Sequence, residues 1–238
     1  MAQAKDISNL AEEVKKRLDV DQNSAREWIN SQGTSEEVCE LYDKAVRDLY
    51  WLEKSASGLV IIGRAGVDFC LQEAEKYHST NPNLAEKFKA QAKTIAYNVA
   101  ANSWPGWGDE GVTIASKDIE AGLQAAQLNL KLAFDLKKPD DKVAAAYWLL
   151  SALQLALGQF ESGASSIDRS IDFAKKARDR LQEVFSVGFK GLILMASGDS
   201  RLGKPLFEKA VKDLKTIGSD GSNGYAGQLE TARWIFVR

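Results

Sequence analysis

The chain has 238 residues, 45% hydrophobic and 27% charged, with a formal net charge of -2. That is enough apolar material for one sizeable core or two small ones, and the near-neutral charge argues against nucleic-acid binding, which needs a basic field. A single histidine, His78, and two cysteines, Cys39 and Cys70, cannot assemble a histidine-based metal cluster, a Ser-His catalytic pair or a disulfide framework.

The first residues, MAQAKDISNLAEEVKKRL, lack the apolar core of a secretory signal and read as an amphipathic helix, so a cytoplasmic location is expected. Ile7, Leu10, Val14 and Leu18 form its stripe. A short helix around Trp28 follows, capped by Asp21 or Ser24. Thr34 and Glu37 have capping-box spacing, opening a helix with Val38, Leu41, Tyr42, Ala45, Leu49 and Leu52 on one face. In SASGLVIIGRAGVDFCLQEAEKYH the LVII run resembles a strand, yet no second such run exists to pair with it, so this segment also reads as helix. Its Gly63 and Gly66 lack the strand-turn-helix setting of a phosphate loop and read as points of close helix packing. Cys39 and Cys70 fall within helical apolar patterns and read as small hydrophobes, with a single bridge left open. His78 closes the helix, where a cation meets the negative end of its dipole.

Asn81-Pro82 signals the next start, followed by Leu84, Phe88, Ala92, Ile95 and Val99 at helical spacing. The stretch NSWPGWGDEG then interrupts the pattern. Helix resumes near Ser116, with Ile119, Leu123, Ala126, Leu130 and Phe134, and stops before Pro139. Val143 to Phe160 carries no charge, but Ser151, Gln154, Gly158 and Gln159 break its apolar run. It reads as a buried helix without membrane insertion.

The last hundred residues contain a repeat. LGQFESGASSIDRSI and SGDSRLGKPLFEKAV each follow a glycine turn with the same order of small and large positions, and Gly158 and Gly198 stand 40 residues apart. The small residues Ser151, Gly163, Gly191 and Gly203 are placed to let paired backbones approach, with large residues filling the gaps between pairs. Residues 144 to 217 thereby resemble the tetratricopeptide repeat, a helix-turn-helix unit. Departures are visible: Lys190 occupies a usual leucine place, and no proline ends either unit.

The resemblance implies an all-α fold, an antiparallel helix-pair stack of about ten helices forming an α-solenoid with a right-handed superhelix. On this reading 1–238 is a single helical domain. Residues 1–83 form divergent helices, 84–217 form helix pairs with a Trp/Gly loop inserted at 102–116, and 218–238 form a linker, SDGSNG, with a capping helix over Gln228 to Phe236.

In that family the first helix of each pair lines a partner-binding groove. The matching positions here are Ala145, Trp148, Leu149 and Ala152, then Phe185, Phe189 and Leu192, all apolar. The basic and amide residues that clamp a peptide carboxylate in family members are missing from these positions. An apolar groove either receives a partner or is filled by the chain's own terminal helix, for which Leu229, Trp234 and Phe236 are the candidate plugs. Trp104 and Trp107 either fold down over the end of the core or project as contacts beside Asp109 and Glu110.

The expected function is therefore a non-enzymatic interaction scaffold with a protein or peptide partner. No catalytic residue, metal or cofactor is expected, and self-association remains open. Two alternatives stand beside it: a carrier of a small molecule, lipid or glycan using the Trp loop, and a hydrolase using Asp109 or Glu110 with a second acid.

Overall fold

A computed structural model describes residues 9–237; Ile7, assigned above to the first stripe, lies outside them. The described residues form eleven α-helices and one short 3-10 turn, with no strand. No described helix is long and apolar enough to cross a membrane. The helices gather into two compact units, the first comprising the chain through Ser103 plus Gly111–Leu132, the second Trp104–Glu110 plus the chain from Ala133.

In the first unit α1 (Leu10–Leu18), α2 (Gln22–Asn30), α3 (Ser35–Trp51), α4 (Ala56–Tyr77), α5 (Pro82–Asn102) and most of α6 (Ser116–Asp135) follow one another. The start signals act as written. Asp21 accepts from the Ser24 N–H at 2.9 Å, Thr34 and Glu37 form a reciprocal capping box, and Asn81 accepts from the Leu84 N–H. LVII lies within α4, where Leu59, Val60 and Ile62 are buried. Gly66 permits close packing: a Cβ there would lie 2.6 Å from the Tyr42 side chain, and one on Gly63 would collide with Val99. Cys39 and Cys70 are fully buried and joined in a disulfide between α3 and α4, so the bridge the sequence left open is made. Leu52, assigned to the apolar stripe of α3, is 69% exposed, because α3 has ended one residue earlier.

The second unit is a run of antiparallel helices, α7 (Asp140–Ala156), α8 (Phe160–Ala177), α9 (Arg180–Ala196), α10 (Ser200–Ile217) and α11 (Asp220–Phe236), joined by two- or three-residue turns. Gly158 and Gly198 supply left-handed backbone at the turns after α7 and α9, a conformation other residues adopt only with strain. The small residues make the pairs close. The Ser151 hydroxyl donates to the Gly163 carbonyl at 2.8 Å across α7 and α8, and a Cβ on Gly191 would lie 2.7 Å from the Gly203 carbonyl oxygen. Lys190 points away from the apolar interior to pair with Asp168 at 2.7 Å, which explains how it stands in a leucine position.

The terminal helix differs from its sequence reading. SDGSNG is no linker, because Ser219 caps the Ser222 N–H and α11 begins at Asp220. Three glycines weaken this helix intrinsically. Burial of Ser222, Ala226, Leu229 and Ala232 along one face outweighs their low propensity.

Candidate functional site

The second unit contains both the groove positions and the tryptophan loop, so their fates can be followed together. Pro105 starts a 3-10 turn over Pro105–Trp107, and Gly108 ends it with a φ of 68°, its N–H donating to the Pro105 carbonyl. This turn folds the loop back on itself. A Cβ on Gly106 would strike the Trp104 indole, so glycine there lets the backbone lie against the ring.

Trp104 is fully buried. Its ring meets Trp107 and Trp148 edge-on, with centroids at 5.1 and 5.7 Å, and stacks with Phe236 at 6.2 Å. Phe189 lies 6.0 Å away. Trp148 continues the cluster to Phe185 at 5.3 Å, and Phe185 stacks on Tyr225 of α11 at 4.4 Å. Large aromatic areas removed from water make such a cluster a principal source of local stability, each ring pair adding about 0.5–1.5 kcal/mol beyond burial. Among the described residues the Trp104 and Trp148 indole N–H groups have no hydrogen-bond acceptor, so apolar contact holds these rings.

The groove positions thus form the interior of this unit. Trp148, Leu149, Ala152, Phe185, Phe189 and Leu192 are buried, and Ala145 is half-buried. The expectation that these seven residues face a partner is corrected: the loop covers part of α7, and α11 covers α9. Leu229 is the decisive plug. Its side chain would contact a Cβ on Gly188 at 2.6 Å, so the glycine on α9 forms the seat that receives it. Water cannot cover so much contiguous hydrocarbon cheaply, and the chain's own last helix removes it from solvent.

Of the three candidate plugs, Leu229 and Phe236 pack inward, whereas Trp234 is 85% exposed. The loop contacts divide similarly. Trp104 is core and Trp107 is half-buried against Trp148 at 6.2 Å, while Asp109 is half-buried and Glu110 exposed. Trp107 therefore has only part of its ring available to a contact, and Trp104 has none.

A small polar network ties the unit together beneath these rings. The Ser170 hydroxyl donates to the Ala144 carbonyl at 2.8 Å and lies 2.9 Å from Ser186, to which the Gln182 amide donates at 3.1 Å. Every member is buried and bonded, which aligns α7, α8 and α9 in one register.

Among the described residues no three His, Cys, Asp or Glu side chains are grouped to hold a metal ion. Trp234 is the residue whose role the sequence misassigned. Trp234 stands two residues before Phe236, about 200° around the helix, while Leu229 and Phe236, seven residues apart, share one face; the helical period separates Trp234 from the other two, and packing decided which face turns inward. Comparison with protein-family models and with curated proteins found no match for this chain.

Proposed function

We propose that this protein is a non-enzymatic attachment scaffold of the tetratricopeptide-like kind, which engages a protein or peptide partner through the outer side of its last helix. The observation that carries this reading is the contrast between Trp234, 85% exposed, and Trp104, Trp148, Phe185 and Phe189, all buried. An indole left in water forgoes a large burial gain, and tryptophan is among the residues most enriched at binding hot spots. The paired small residues and bonded serines support a rigid platform beneath it.

The decisive measurement is affinity capture with the native protein and with Trp234→Glu, followed by calorimetry on the purified partner. A partner held by the native chain should bind the variant with a loss of about 2 kcal/mol or more, roughly 30-fold in Kd. Thermal unfolding should be unchanged, since Trp234 contributes little burial. Equal binding by both proteins would overturn the assignment of Trp234.

A further inference from the structure

A second feature lies in the first unit. A groove of about 520 Å³ runs between α4, α5 and the middle of α6, within the size range of small-molecule sites, about 300–1,000 Å³. Its floor is apolar, with Val67, Val99 and Leu128 as the larger members. Arg64, Asp68 and Gln124 provide its polar groups.

Arg64 and Asp68 stand one turn apart on α4, the spacing at which opposite charges ordinarily pair. Three other pairs in the same cation-first order close, Lys44–Asp48, Lys204–Glu208 and Lys209–Asp213, whereas Lys131 and Asp135, spaced the same way on α6, do not. Arg64 instead donates from Nη2 to the Gln124 Oε1 at 2.8 Å, and neither Arg64 nor Asp68 has a counter-charge among the described residues. A neutral amide leaves the guanidinium charge uncompensated and most of its five N–H donors available. One positive and one negative group therefore border a hydrocarbon floor.

We propose that this groove binds a zwitterionic ligand of the apolar α-amino acid class. The carboxylate pairs with Arg64, which offers a planar fork suited to it. The ammonium pairs with Asp68 and the Gln124 carbonyl oxygen, and the apolar side chain covers Val67, Val99 and Leu128. A fatty carboxylate would satisfy Arg64 but bring its charge beside Asp68, and an apolar amine would leave Arg64 unanswered. Only a ligand carrying both charges complements both residues.

Calorimetric titration of the full chain with L-phenylalanine and L-leucine tests this, alongside 3-phenylpropionate, which lacks the ammonium, and phenethylamine, which lacks the carboxylate. Saturable binding of at least one amino acid is expected, with each truncated compound about tenfold weaker than L-phenylalanine or L-leucine. Arg64→Met and Asp68→Asn should each weaken the amino acid about tenfold, and because both residues are exposed the far-UV circular dichroism should not change. Ala125→Trp, placing an indole on the floor, should abolish binding. No saturable binding of either amino acid at millimolar concentration, or 3-phenylpropionate binding as tightly as they do, would overturn the proposal.

Discussion

Tyr225 lies nearly parallel to Phe185, with ring centroids 4.4 Å apart and 20° between the planes, and so joins the terminal helix to the aromatic interior of the second unit. One turn further along α11, Leu229 fills the seat made by Gly188. These contacts explain why an apolar face on α9 is not presented to solvent.

Removing the Leu229 side chain should expose that face. Leu229→Ala should lower stability by about 2–5 kcal/mol, the range for deleting a buried leucine. It should also increase binding of a hydrophobic dye as α11 loosens over Phe185 and Phe189. Urea denaturation and dye fluorescence measure the two effects. A variant as stable as the native protein, with no gain in dye signal, would show that α11 does not seal the unit.

Two glycine substitutions should act in opposite directions. A Cβ on Gly191 would lie 2.6 Å from the Phe207 backbone nitrogen and 2.7 Å from the Gly203 carbonyl oxygen, atoms that cannot rotate away. Gly191→Ala should therefore destabilise by about 1–3 kcal/mol through overpacking. On α11, Gly227 has nothing within 4 Å of its hypothetical Cβ. Gly227→Ala should stabilise by about 0.5–1 kcal/mol through helix propensity. Shifts of the same sign in denaturation midpoint would contradict the assigned packing.

The Cys39–Cys70 bridge closes a span of 31 residues between α3 and α4. Restricting the unfolded chain in this way typically contributes about 2–4 kcal/mol. The Cys39→Ala/Cys70→Ala double variant should lose stability of that order, while reductant should lower the native protein's midpoint without affecting the variant. Thiol titration under denaturing, non-reducing conditions should find no free thiol in the oxidised native protein.

Tyr42 makes stability fall at alkaline pH. Its hydroxyl donates to the Asn30 Oδ1 at 2.9 Å, and burial pushes the phenol well above its ordinary value of 10.0. The folded protein therefore favours the protonated phenol. That contribution is complete below about pH 10 and is lost as the pH rises from the unfolded-state value toward the folded one. Tyr42→Phe should flatten the decline above pH 10, and lower stability near neutrality by about 0.5–1.5 kcal/mol for the lost hydrogen bond. Urea midpoints measured across the alkaline range read both effects.

By itself the sequence determined the local structure: the helical class, the capped starts at Thr34 and Asn81, the turns at Gly158 and Gly198, and the small-residue crossings of Gly191 and Gly203. These depend on neighbours within a turn or two, and their patterns are written directly in residue spacing. Only the tertiary structure decided that Cys39 meets Cys70, that Trp104 enters the interior while Trp234 stays in water, and that Arg64 reaches Gln124 instead of Asp68. Each outcome depends on which distant surface a side chain meets, and indole or guanidinium chemistry is compatible with either environment until packing removes one.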